Sequence, residues 1–319
     1  MSVAPDFLPR IKRDERMSRH TSWHVGGPAE TFFAPRDRRD LTAFLQNVPQ
    51  GTPIYWVGLG SNLLVRDGGL RGVVIATPGA LERLERRNET LVYCEAGVAC
   101  ARLAKQCIRW GLGPAEFFAG IPGTLGGALA MNAGAFGGET WAHVVELETI
   151  DDRGHEHTRS PREYEVGYRH VRHRAATEEG FLAATLRFER KPAANPAEVR
   201  SLLARRKASQ PIGAWSCGSV FKNPAGDHAA RLIEAAGLKG YRSGDASVSE
   251  KHANFIINHG AATAADIERL IGHIQAEVQR LHGVRLSPEV RIVGEGSTAV
   301  REESTPAHAE STAVREERS

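Results

Sequence analysis

The chain has 319 residues, 41% apolar and 25% charged, values that exclude global disorder and, at this length, suggest two domains. Lys and Arg (41) exceed Asp and Glu (38) by only three, too faint a surplus for a nucleic-acid footprint, which needs clustered cations. Glycine is over-represented at 33 residues, as expected where turns are tight and backbone must approach a ligand closely.

Residues 1–19 are charged, hold no apolar run of signal-peptide length, and are expected to form a helix or an arm. From there to about residue 190 short apolar strands alternate with helices. Ala29–Ala34 and Pro53–Val57 read as strands around a helix starting at Asp40, in which Leu41, Phe44 and Leu45 share one face. Val73–Ala76 and Leu91–Glu95 are further strands. Val98–Trp110 is an amphipathic helix that Gly111 stops. Phe117–Gly138 is long and uncharged enough to span a membrane, but seven glycines, Pro122 and Asn132 make it a looped ligand-binding segment instead. Val144–Ile150 and Phe181–Phe188 return to strand character.

Residues 191–195 read as a linker, with Asn195 as N-cap and Pro196 at the first helical position. Asp227 is expected to cap a helix carrying Ala229, Leu232, Ile233 and Ala236. The longest helix runs from about Ala264 to His282, with Ile267, Leu270, Ile271, Ile274 and Val278 at helical period. Val284–Val293 alternates like a strand, with Leu286, Val290 and Ile292 on one side and Arg285, Glu289 and Arg291 on the other. Beyond Gly294 the seven-residue unit S-T-A-V-R-E-E occurs twice, at 297–303 and 311–317, and reads as a disordered tail. The expected division is therefore an arm at 1–19, domains at 20–192 and 196–294, and a tail at 295–319.

The chemistry-bearing segments are few. Gly58-Leu-Gly-Ser-Asn62 follows a strand and can present successive N–H groups to an anion. It lacks the third glycine of a Rossmann fingerprint, because Leu63 stands where that glycine belongs. Glycines 120, 123, 126 and 127 strip side chains from a second patch of backbone, suited to a flat or extended cofactor or to a closely packed hairpin. Gly167-Tyr168-Arg169 offers a guanidinium that could meet a carboxylate or merely sit at the surface. In Cys217-Gly-Ser-Val-Phe-Lys-Asn-Pro224, Ser219 reads as a nucleophile, a proton donor or only a turn hydroxyl. Glu289, facing away from the apolar side of its strand, reads as a solvated position or a functional carboxyl. Cys94, Cys100, Cys107 and Cys217 lack metal-ligand spacing and read as buried thiols of a reducing cytosol. The pairs His155/His157 and His170/His173 lack further ligands at familiar spacings, so no metal is expected.

Taken in order, the segments 20–29, 58–65, 120–128, 131–137, 167–169, 217–224 and 286–290 resemble the UDP-N-acetylenolpyruvoylglucosamine reductases, across about residues 20–294. The resemblance implies an α+β fold: a vanillyl-alcohol-oxidase-type (PCMH-type) FAD-binding domain of two subdomains, plus a smaller α+β substrate-binding domain. It implies FAD held by Gly58, Gly60, Ser61, Asn62, Leu63, Gly120, Pro122, Gly123, Thr124, Gly126, Gly127, Ala128, Asn132, Ala133 and Gly134. It places the reacting groups on Arg169, Ser219 and Glu289, and substrate contacts on Tyr168, Lys207, Asn223 and His252. The short spacer after Arg169 resembles the subtype without an extra substrate-covering loop.

The activity implied is reduction of a UDP-sugar enolpyruvyl ether by NADPH through FAD, in a cytoplasmic protein with no nucleic-acid or membrane partner and a monomeric state favoured. Because no dinucleotide fingerprint is present, NADPH is expected to share the substrate cleft and to leave first, giving ping-pong kinetics. A flavin oxidase of the same broad fold and a non-catalytic nucleotide-binding module are the alternatives.

Overall fold

A computed structural model describes residues 7–191 and 196–296. Three sheets organise them. In the first, Ile11–Arg16 pairs antiparallel with Pro28–Phe33, which lies parallel to Leu70–Ala76 and through it to Ile54–Val57. The second is wholly antiparallel, in the order Glu156–Arg159, Val144–Ile150, Gly180–Arg187, Leu91–Glu95, Leu84–Arg86. Phe33, Leu41, Ile75, Leu81, Ile150 and Leu182 form one apolar cluster joining the two sheets. The third sheet, Arg242–Ser243, Ala246–Val248 and Ile256–Asn258, belongs to a core formed by the helices Ala229–Ala235 and Ala264–His282.

That third core is not built from the C-terminal half alone. Trp23, Val25 and Leu64 are buried in it. Trp23 is fully enclosed, donates from Nε1 to the carbonyl of Ile256 at 2.8 Å, and accepts at its own carbonyl from Asn258 Nδ2 at 2.7 Å. Burying an indole with both polar ends satisfied makes this a strong anchor, one whose truncation to alanine costs about 3–5 kcal/mol. The strand Arg291–Val293 runs back to pair in parallel with Leu63–Val65, Arg291 opposite Leu63. Asp67 accepts from the N–H groups of Ala264 and Ala265, capping the longest helix from outside it, each at 3.0 Å.

Most elements lie within one to three residues of their expected bounds, and the long helix matches fully at Ala264–His282. It opens on a Thr263/Asp266 capping box and closes on Gly283 at φ 68°. Several expectations need correction. The described part of the charged arm contains a strand, Ile11–Arg16, because an edge strand with one wet face tolerates Lys12, Arg13 and Asp14. The expected ligand-binding loop contains a helix, Leu125–Met131, whose N-cap is Thr124.

Asp227 is not the cap of Ala229–Ala235; His228 holds that position, and Asp227 pairs with Arg231. Only Arg291–Val293 of the expected strand 284–293 is regular, since Pro288 has no N–H to give a ladder. The four cysteines are buried free thiols. Residues 192–195 and the repeated tail from 297 onward lie outside the described residues.

Candidate functional site

The two glycine-rich loops meet at one wall of a cavity of about 980 Å³. The first follows the strand Ile54–Val57 and bends at Gly60, φ 61°, where a side chain would strike the His20 carbonyl at 1.9 Å. The second enters the helix Leu125–Met131 through Thr124, whose Oγ1 accepts from the Gly127 N–H. Gly58 lets the loops touch, because a Cβ there would lie 2.5 Å from Thr124 Oγ1. Internal packing therefore explains Gly58 and Gly60.

It does not explain Gly123 and Gly127, which also line the cavity. A Cβ at Gly123 would make only ordinary contact with Ser61 Oγ, at 3.4 Å, and one at Gly127 would lie 3.9 Å from Thr124 Oγ1. The space in front of these two glycines is left for something other than the protein. A flat or extended cofactor lying against bare backbone fits that cradle.

The rest of the lining comes from distant parts of the chain. Arg169 occupies the turn between the strands Tyr164–Gly167 and His170–His173, at φ 52°. A non-glycine residue held left-handed stores about 1–2 kcal/mol and points to a functional constraint. Its Nε donates to Glu289 Oε1 at 2.8 Å, Nη1 to the Asn132 carbonyl at 3.2 Å, and Nη2 to the Gly134 carbonyl at 3.1 Å. The side chains of Arg169 and Glu289 are 16% and 13% exposed, so neither is the solvated surface residue that local pattern allows. Burial pushes the Glu289 carboxyl above its ordinary range, against the opposing pull of Arg169 and Lys222.

Ser219 follows Gly218, φ 83°, and lines the same cavity. Its loop is clamped by Asn254, which accepts from Phe221 N at 2.9 Å and donates to the Phe221 carbonyl at 2.8 Å. The Val220 carbonyl in turn receives the Glu289 N–H at 2.7 Å, so the serine and glutamate segments are backbone neighbours. Lys222 Nζ donates to the Arg169 carbonyl at 3.0 Å, joining the serine loop to the arginine turn. Asn62 Nδ2 donates to the Glu289 carbonyl at 3.0 Å. The cavity therefore gathers a guanidinium, an alcohol and a carboxyl beside the two glycine loops.

Of the residues expected to hold a cofactor, all line this cavity except Gly126 and Asn132. Gly126 packs against Ala96, and Asn132 is 2% exposed with both ends of its amide engaged by protein. The four expected substrate contacts lie elsewhere. Tyr168 is exposed, with the Arg169 guanidinium carbon 5.1 Å from its ring centroid. Lys207 is exposed and contributes its carbonyl to Lys251. Asn223 Oδ1 accepts from Ala229 N at the start of a helix. His252 is half-buried against Phe255, its pKa lowered by that burial.

Sequence reading missed Arg205 and Arg206, which line the cavity with Leu202 and Ser209. Those four positions follow a helical i, i+3, i+4, i+7 pattern on Pro196–Ser209, and that face was the available signal. Arg206 donates to Gln210 Oε1 at 2.7 Å and has no carboxylate partner among the described residues. Other enclosed arginines do, as in Arg10–Asp40 and Arg159–Glu179. His155 and His157 both rest on Asp151, at 3.2 and 3.1 Å. Among the described residues no cluster of acidic, Cys and His side chains could hold a metal, and no helix is long and apolar enough to cross a membrane.

Residues 29–160 match the FAD binding domain family, and residues 210–293 match the C-terminal domain of UDP-N-acetylenolpyruvoylglucosamine reductase. The UDP-N-acetylenolpyruvoylglucosamine reductase of Alkalilimnicola ehrlichii is 60% identical over 289 residues, covering 90% of this chain and 96% of that protein. The reductase of Methylococcus capsulatus is 55% identical, covering 88% and 92%. The crystal structure of UDP-N-acetylenolpyruvylglucosamine reductase from Thermus caldophilus superposes with a TM-score of 0.74 at 32% identity, over 89% of this chain and 98% of that one.

Proposed function

The chain belongs to the UDP-N-acetylenolpyruvoylglucosamine reductase family, and on that premise we propose how its residues act. It is an FAD-dependent oxidoreductase that uses NADPH to reduce the enolpyruvyl ether of UDP-N-acetylglucosamine, a step of peptidoglycan precursor synthesis. Its α+β fold combines a vanillyl-alcohol-oxidase-type FAD-binding part with the smaller family C-terminal domain. Within that fold, residues 20–192 form the cofactor domain and 196–294 the substrate domain. The observation that carries the reading is the shared cavity, whose lining includes the glycine cradle together with Arg169, Ser219 and Glu289.

Bound FAD supplies hydride transfer, which no side chain of this protein can perform. The remaining task falls to the chain. Adding hydride at the methylene carbon of an enol ether drives negative charge onto the adjoining carboxylate. Arg169 meets that charge with a guanidinium already aimed by two carbonyls, and Glu289 donates a hydrogen bond in its protonated form, the form that burial favours. Donors of this kind, aimed where charge develops, are each worth about 3–4 kcal/mol of barrier. Ser219 then gives its proton to the carbon that bears the carboxylate, a role worth about 10²–10⁴-fold. Arg206 holds phosphate, since a half-buried guanidinium with no carboxylate partner among the described residues favours an anionic ligand, and the exposed Arg205 on the same helix face adds positive charge.

A monomer is the proposed state, and four buried thiols suit the cytoplasm. The test is a spectrum of the purified protein, followed anaerobically by NADPH and then the enolpyruvyl sugar nucleotide. Flavin absorbance, its bleaching by NADPH and its return with substrate are expected, with ping-pong initial rates. A colourless protein, or reoxidation by air but not by substrate, overturns the reading.

A further inference from the structure

Asn132 is the C-cap of the helix Leu125–Met131, held left-handed at φ 47°, ψ 53°. A cap in that conformation asks only for a residue that tolerates it, and glycine serves best. Asn132 does considerably more. Its Oδ1 accepts from Trp141 N at 3.1 Å, while Nδ2 donates to Glu139 Oε2 at 3.0 Å and to the Gly167 carbonyl at 3.2 Å. Both ends of the amide are thus committed, which fixes its orientation. Gly167 is the residue before the Tyr168–Arg169 turn. The Asn132 carbonyl receives Arg169 Nη1, so one residue grips the arginine at the base of its turn and at its tip.

We infer that Asn132 is a positioning residue for Arg169: its enclosed amide ties the arginine turn to the end of the helix and aims the guanidinium into the cavity. The resemblance assigned this residue to the cofactor, but it does not line the cavity. The inference rests on the reductase reading, in which Arg169 meets the substrate carboxylate. A donor displaced by about 1 Å loses on the order of 10²-fold in rate.

Asn132→Gly separates the two roles, because it keeps the left-handed cap and the carbonyl while deleting the amide. In the holoenzyme, FAD content and flavin reduction by NADPH should stay at wild-type levels. Reoxidation by the enolpyruvyl sugar nucleotide should slow by about 10²-fold, as a fall in kcat with little change in KM. Glu139→Ala, which removes one anchor of the amide without touching the helix or the turn, should give the same selective slowing in weaker form. Loss of FAD from a folded Asn132→Gly protein would make Asn132 a cofactor contact. Equal slowing of both half-reactions would make it merely structural, and wild-type behaviour would make it an idle cap; each overturns the inference. Failure of the wild-type protein to pass electrons from NADPH to the substrate would instead overturn the reductase reading.

Discussion

Arg169 Nε lies 2.8 Å from Glu289 Oε1, joining side chains 120 positions apart in the chain across a mostly enclosed cavity wall. The pair ties the strand hairpin of the front half to the segment that re-enters from the back half. Each partner limits where the other can sit, and the chemistry assigned to them rests on that constraint.

The half-reactions should separate at Ser219. Ser219→Ala removes a hydroxyl from a loop held by Asn254 and leaves the backbone clamps in place. Stopped-flow absorbance should show normal bleaching by NADPH and reoxidation by substrate slowed about 10²–10⁴-fold. Equal loss in both phases would remove the serine from proton delivery.

Glu289 should leave a pH signature. Burial raises its pKa, so the folded protein holds that proton more tightly than the unfolded chain does. The resulting stability is complete below the ordinary value of 4.5 and is lost as pH rises through the raised value. Urea denaturation across that window should show wild type losing stability relative to Glu289→Gln as pH increases. Substrate-dependent reoxidation should fall over the same range, because the ionised carboxylate no longer donates.

Gly123 and Gly60 should fail differently. At Gly123 a methyl group meets only Ser61 Oγ at 3.4 Å, so the apoprotein of Gly123→Ala should fold with stability changed by no more than about 1 kcal/mol. Its FAD content, read from the flavin-to-protein absorbance ratio, should drop sharply. At Gly60 the same methyl group would sit 1.9 Å from a carbonyl at φ 61°, and Gly60→Ala should not accumulate as folded protein. A fully flavinated Gly123→Ala would show that the cradle is not where the cofactor lies.

Arg206 should trade stability against binding. Burial lowers its pKa, and its hydrogen-bond partner is the neutral Gln210. Arg206→Met should raise the thermal midpoint of the apoprotein by relieving that enclosed charge. The same change should weaken binding of the phosphate-bearing ligands by about 1.5–3 kcal/mol, the usual worth of a hydrogen bond to a charged group. Calorimetry on apo and loaded protein reads both effects.

Local signals were legible in the sequence. The long helix announces itself through its period and terminal glycine, and both glycine loops stand out because their chemistry is written in consecutive residues. Long-range facts were not. Asn132 looks like one more residue of a cofactor loop until Gly167 and Arg169, more than thirty positions later, close around it. Glu289 alternates like a wet strand position, and only its place beneath Arg169 makes it an enclosed carboxyl. Arg206 is distinguished by the lack of a carboxylate partner among the described residues, which no run of letters displays. The strand Ile11–Arg16 hid for a related reason, since charges on an edge strand resemble charges on any exposed arm.

The parallel pairing of Arg291–Val293 with Leu63–Val65 has a consequence for biosynthesis. A ribosome makes the cofactor loops early, yet the strand beside them waits for a mate that emerges more than two hundred residues later. Such distant pairing is slow to form, and until it does the nascent protein has no carboxyl with which to finish catalysis. Translation cut short anywhere before Glu289 therefore yields a fragment that can resemble the enzyme in its first half but cannot complete its reaction.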